Sequence, residues 1–195
     1  MTSPILGIPA VDPAFEAAVT AELEQVEERL TEAVKSDDAL LASAARHLVA
    51  AGGKRFRPLL ALTAGHFGDA DAPGVVDSAV VVELTHVATL YHDDGMDEGA
   101  PRRGAPSANA LWGNTVAILT GDFLFARASD IAADLGTESV RIQARTFERL
   151  VQGQLRETLG PRDSEDPVAH YLGVLSDKTA SLIATSARLG AMHAG

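Results

Sequence analysis

From Val75 to about Asp97 the chain is apolar nearly all the way round a helical wheel. A helix without a polar face cannot lie on a surface, so other elements must wrap it. The rest of the sequence supplies those elements as further helices. Between Pro13 and Lys35 the apolar residues Phe15, Val19, Leu23, Val26, Leu30 and Val34 recur every three or four positions, which is an amphipathic helical stripe. Asp38 to Ala51 reads as a second helix stopped by Gly52-Gly53, and Pro58 favours a new helix start. Gly68 to Gly74 and Gly99 to Pro106 read as loops. Helical patterns follow at about Ala108 to Leu135, Thr137 to Leu159 and Pro167 to Ala191, broken by Gly136 and by the turn Gly160-Pro161-Arg162-Asp163. No stretch alternates as a strand, and there is no internal repeat. The expectation is an all-α protein of long helices packed around a central pair. It forms one domain over residues 1–195, with residues 1–12 a flexible N-terminus.

Charge and composition narrow the function. The 195 residues are 46% hydrophobic, enough for one sizeable core. The absence of cysteine removes disulfides, thiolate catalysis and sulfur-ligated zinc. Met1 to Pro13 lacks a basic start followed by an apolar core, and the apolar stretches elsewhere are interrupted by charges short of a membrane span, so the expectation is a soluble cytoplasmic protein. A formal charge of −11 repels nucleic acid and anionic lipid, so an anionic substrate needs a local basic cluster. Two exist. Lys54, Arg55 and Arg57 form one, Arg102 and Arg103 the other, both in short Gly/Pro-rich segments, which suggests two anionic groups.

The chemistry concentrates in Leu90-Tyr-His-Asp-Asp-Gly-Met-Asp-Glu-Gly-Ala-Pro-Arg-Arg-Gly104. Asp93 and Asp97 are four apart and share a helix face, close enough to hold divalent cations between them. Hard carboxylate oxygens suit magnesium, which bridges carboxylates and phosphates. As a merely solvated helix end, the trio Asp93, Asp94 and Asp97 would oppose the helix dipole at about 0.3–1 kcal/mol per group. An EF-hand is a poor alternative, because its alternating ligands and distal Glu are missing. Arg102 and Arg103 either pair with Asp97 and Glu98 on the surface or fold back as forked phosphate binders. Lys54 and Arg57, at a helix junction, face the same choice, while Arg55 is expected to point elsewhere. His86, two turns before Asp93, is either a satisfied core histidine or part of the site. His92 stands beside the aspartates as a hydrogen-bond partner, and no zinc-type ligand spacing appears. Lys178 sits in an apolar helix, where it needs an anionic partner or a stem snorkelling to solvent. Asp122 and Gln154 are candidate cavity residues or interhelical hydrogen bonds.

Taken together, Gly52-Gly53-Lys54-Arg55-Phe56-Arg57-Pro58, Glu83-Leu84-Thr85-His86, His92-Asp93-Asp94-Gly95-Met96-Asp97-Glu98 and Arg102-Arg103-Gly104 resemble the trans-isoprenyl (polyprenyl) diphosphate synthases, as do Gly121-Asp122, Gly153-Gln154 and Lys178-Thr179. The resemblance implies the all-α isoprenoid-synthase helical bundle, usually a homodimer. It implies that Asp93 and Asp97, supported by Asp94, bind an allylic diphosphate through Mg2+, and that Arg102 contacts the same diphosphate. Lys54, Arg57, His86 and Arg103 match the site for isopentenyl diphosphate. Lys178 and Thr179 match a pair near the reacting allylic oxygen, and Gln154 matches a position lining the same cavity. Ala88 and Thr89 match the positions that set product length. Both are small, which implies an open tunnel and a product longer than farnesyl, unless Tyr91 or neighbouring helices close it.

Two departures stand out. Gly95 is smaller than the family's residue at that place. The sequence also stops at Gly195, before the family's second aspartate-rich motif, so the bundle is expected to be truncated on its C-terminal side, as a fragment or a shortened gene product. Half the metal site is then missing, which leaves a second reading open: a non-catalytic or regulatory subunit of a heteromeric synthase. A class I terpene cyclase is a third reading, disfavoured by the two basic clusters.

Overall fold

Helix α4, Pro73–Met96, is the axis of the molecule. A computed structural model describes residues 12–96 and 106–195, and all regular structure among them is helical. The expected flexible N-terminus, apart from Asp12, lies outside the described residues, as do Asp97, Arg102 and Arg103. Around α4 are α1 (Pro13–Ala33), α2 (Ala39–Ala50), α3 (Phe56–Gly65), α5 (Ala108–Trp112), α6 (Asn114–Asp134), α7 (Thr137–Leu159), α8 (Pro167–Val174) and α9 (Ser181–His193). Helix α4 packs most extensively on α6, then on α9, α3 and α1. Its apolar residues divide between two cores. Val75, Val80, Leu84 and Val87 join Leu30, Leu48, Leu62 and Leu124 in one. Val81 and Val82 join Ile142, Leu150, Leu182 and Leu189 in the other. Each such Val or Leu, once fully buried, contributes about 1.5–3 kcal/mol, which explains why a helix with no polar face is stable here.

The helix starts follow from capping chemistry. The Asp12 side chain accepts from Ala14 N at 2.9 Å with Pro13 in the first turn, and Asp38 accepts from Leu41 N at 2.8 Å. Asp166 does the same for α8, before Pro167.

Some expected boundaries move, among them the start of α4, which lies at Pro73 inside the expected loop Gly68 to Gly74. Helix α3 starts at Phe56 with Pro58 in its first turn, as expected, where a proline forfeits only an N–H that has no partner within the helix. The expected helix 108–135 breaks at Gly113, whose φ of 81° ends α5. The last expected helix is interrupted between α8 and α9 by a π-helical stretch, Leu175–Ala180. Helix α4 is also long and apolar enough to cross a membrane by length and composition, contrary to the sequence expectation. Its most apolar window is 67% buried inside the bundle, as befits a core helix.

Tyr91 is not among the residues lining the main cavity. It is fully buried and turned toward α2, where its hydroxyl accepts from Leu48 N at 3.2 Å and donates to Ala44 O. Burial pushes its phenol up to about 12, from an ordinary 10.0. A raised acid contributes stability that is complete below its unfolded pKa and lost as pH climbs through the folded one. Between pH 10 and 12 the wild type is therefore expected to lose on the order of 2–3 kcal/mol through this group. Tyr91→Phe should cost about 1–2 kcal/mol at neutral pH, through loss of the two hydrogen bonds its hydroxyl makes to α2. It should also flatten that alkaline loss. Urea denaturation of both proteins at pH 8 and pH 11 checks this, and equal slopes with pH would refute it.

Candidate active site

Helical geometry decides which α4 residues meet the main cavity, a space of about 650 Å³. His86, Thr89, Leu90, Asp93 and Met96 follow the three-and-four spacing of one helix face, and all line it. Ala88 and Asp94 lie roughly 100° away around the helix and are fully buried off the cavity wall. Ala88 packs in the core, and of the two small residues only Thr89 borders the cavity. Asp94 is buried close enough to Tyr91 to help raise its phenol pKa.

The opposite walls come from α6, α7 and the π-helical stretch. Helix α6 supplies Ile118 and Asp122, and α7 supplies Phe147, Leu150, Val151, Gln154, Leu155 and Thr158. Phe147 is braced by Phe125, with ring centroids 4.0 Å apart. Lys178 and Thr179 enter from the π-helical stretch, and Arg57 from α3. The result is an apolar chamber with basic and acidic groups set into its wall, a form suited to an amphipathic ligand with an anionic head.

Close backbone approaches put these groups in place. A Cβ on Gly153 would stand 2.5 Å from Lys178 N, so α7 touches the main chain of the π-helical stretch there. The wider π turn is held from the side by Asp177, which accepts from Arg149 Nε at 3.0 Å and pairs with Arg156 at 3.6 Å. Lys178 itself, about one-third exposed, pairs with Glu157, three residues after Gln154. This anionic partner answers the sequence question about Lys178. On the other side Gly121 lets α6 approach His92, whose Nε2 lies 3.1 Å from Asp122 Oδ1.

Of the residues singled out from sequence, Arg57, His86, Thr89, His92, Asp93, Asp122, Gln154, Lys178 and Thr179 converge on one cavity. Lys54 is exposed on the loop before α3 and is not part of the wall. Arg55 is buried and turned inward. Glu157 and the Arg149–Asp177–Arg156 cluster escaped the sequence reading. Glu157 carried one usable signal, its position one turn beyond Gln154 on the same helix.

Among the described residues no three His, Asp or Glu side chains gather as a metal site. The donor chemistry on the wall nevertheless suits a hard cation, since Asp93 and Asp122 offer carboxylate oxygen. Gln154 Oε1 is buried with no hydrogen-bond partner among the described residues, leaving an acceptor beside the chamber to be satisfied.

The polyprenyl synthetase family profile matches residues 38–195. This chain belongs to the polyprenyl synthetase family. It is 48% identical over 192 residues to the nonaprenyl diphosphate synthase of Mycobacterium tuberculosis, covering 98% of this chain and 57% of that protein. It is 41% identical over 175 residues to heptaprenyl diphosphate synthase component 2 of Geobacillus stearothermophilus, covering 89% and 55%. The crystal structure of geranylgeranyl pyrophosphate synthase from Corynebacterium glutamicum, complexed with calcium and isoprenyl diphosphate, superimposes with a TM-score of 0.86 at 50% identity. That match covers 96% of this chain and 58% of the other. The chain thus spans a little over half the length of these polyprenyl synthetase relatives, and its all-α fold is theirs.

Proposed function

We propose that this chain acts as a magnesium-dependent trans-prenyltransferase, which condenses isopentenyl diphosphate with an allylic prenyl diphosphate into a longer trans-polyprenyl diphosphate. The observation that carries the reading is the convergence of Asp93, Arg57, His86, Gln154, Lys178 and Thr179 from four separate parts of the fold on one apolar chamber. The relatives' names, and the isoprenyl diphosphate in the Corynebacterium structure, support the substrate class.

In this reading Asp93, with Asp97, would hold Mg2+, which supplies charge neutralisation at the allylic diphosphate. Arg102 would contact the same diphosphate. Lys178 and Thr179 contact its bridging oxygen, so that the allylic C–O bond breaks with its electron pair leaving on the diphosphate. Arg57, His86, Lys54 and Arg103 hold isopentenyl diphosphate, whose double bond attacks the allylic carbon. Loss of a proton to the released pyrophosphate completes the product. Phe147, Leu150 and Leu155 keep water from the cationic carbon. We further propose a cytoplasmic homodimer without a membrane span or a nucleic-acid partner, in keeping with the net charge of −11.

The test is mass spectrometry of products after incubation with isopentenyl diphosphate and geranyl or farnesyl diphosphate, with and without magnesium. A magnesium-dependent ladder extending beyond farnesyl is expected, with Thr89 leaving the tunnel open. The second reading is a non-catalytic or regulatory subunit of a heteromeric synthase, for which the name component 2 of one relative is a slight pointer. Absence of extension by the chain alone, with extension altered when a complete synthase is added, would replace the first reading by the second.

A further inference from the structure

Arg55 belongs by sequence to the basic cluster that the proposed function assigns to a diphosphate, yet only 8% of it is exposed. Its guanidinium spends its donors inside the protein. Nε and Nη2 form a fork on Glu27 of α1, the Nη2 bond measuring 3.0 Å. Nη1 donates to Glu83 of α4 at 2.7 Å, and Nη2 also donates to Val49 O at the end of α2, at 2.9 Å. Glu83 is itself 2% exposed. One side chain therefore ties the loop before α3 to three other helices. The loop needs tying: Gly52 and Gly53 have φ of 71° and 147°, and Arg55 is the one non-glycine with positive φ among the described residues, at 46°. A left-handed conformation at a residue with a side chain is costly and persists only where the surroundings enforce it. Two residues further on, Arg57 lines the cavity, and His86, three residues after Glu83 on α4, lines it too.

We propose that Arg55 is a positioning residue, whose bonds to Glu83 and Glu27 set Arg57 and Lys54 in register with His86 for the isopentenyl diphosphate subsite. The inference rests on the proposed function. Arg55 does not itself touch the substrate. Its fork geometry is the active property, because a lysine at this place keeps the charge but has neither the plane nor the paired donors to bond Glu27, Glu83 and Val49 together. A buried carboxylate deprived of its partner is strongly destabilising, whereas replacing both members by apolar residues of similar size is often neutral. That difference separates folding from positioning.

The experiment is calorimetric binding of isopentenyl diphosphate, and separately of farnesyl diphosphate with magnesium, to the wild type, Arg55→Lys and the double variant R55M/E83L, with thermal unfolding of each. Displacing binding groups by about 1 Å can cost on the order of 10²-fold. Both variants are expected to lose roughly ten- to a hundredfold in affinity for isopentenyl diphosphate. Farnesyl diphosphate affinity should stay within about twofold, and the double variant should unfold cooperatively near the wild-type temperature. Unchanged isopentenyl diphosphate affinity in both variants overturns the proposal. A parallel loss of both ligands also overturns it, since that marks a general structural role. A wild type that binds neither diphosphate refutes the functional reading instead.

Discussion

Asp93→Ala is expected to lower the rate of prenyl extension by on the order of 10²–10³-fold, the range found when one preorganised group facing developing charge is removed. Asp93 is the residue of the aspartate trio that lines the chamber among the described residues, whereas Asp94 is buried off its wall. In the proposed mechanism, removing Asp93 leaves the cation short of a carboxylate, and the allylic diphosphate loses the neutralisation it needs to depart. The affinity for farnesyl diphosphate in saturating magnesium should fall to its magnesium-free value. Binding of isopentenyl diphosphate alone, assigned to Arg57 and His86, should change little. Asp93→Asn gives the same outcome if charge is the property that matters. Helical content by circular dichroism should match the wild type in both. Extension at more than a tenth of the wild-type rate in Asp93→Ala would refute the role.

Gly190→Ala should produce the largest loss of stability for the smallest chemical change. A Cβ there would stand 2.0 Å from Ala61 O and 2.7 Å from Ala61 C, so the obstacle is α3 backbone rather than a side chain that can turn aside. Ala61 is fully buried, and α3 against α9 is among the most extensive helix contacts in the molecule. The methyl group can be housed only by separating the two helices. A cost of about 3 kcal/mol or more follows, at the upper end of overpacking effects. For a chain of this size that corresponds to a fall in Tm of roughly 6–12 °C. A change below 2 °C in differential scanning calorimetry would mean that the helices slide apart freely.

The legible part of the site was the part written in local spacing. Asp93 and His86 are seven residues apart, so any helix through them puts both on one face, and both line the cavity. Gly52-Gly53 announced the hinge before α3, and Asp12, Asp38 and Asp166 cap their helices with the side-chain bonds their type predicts. Other features had no local signal. Lys54 and Arg57 look interchangeable in sequence, yet one is exposed and the other lines the chamber, and nothing local names Glu83 as the buried partner of Arg55, the residue expected to point elsewhere. The family resemblance assigned Ala88 and Thr89 alike to the control of product length, but one residue of helical rotation sends Ala88 into the core while Thr89 borders the cavity.

By itself, then, the sequence determined the all-helical class, the central place of α4 and which α4 residues share a face, because hydrophobic period and capping act within a few residues of chain. Tertiary structure alone decided the partners of the charges: Glu83 and Glu27 for Arg55, Glu157 for Lys178, Asp122 for His92. It also decided the wide turn that brings Lys178 and Thr179 to the cavity, against the backbone that Gly153 leaves accessible. The physical reason is distance along the chain. An ion pair spanning 28 residues, or a backbone contact between two helices, depends on how the helices cross, which no local pattern encodes.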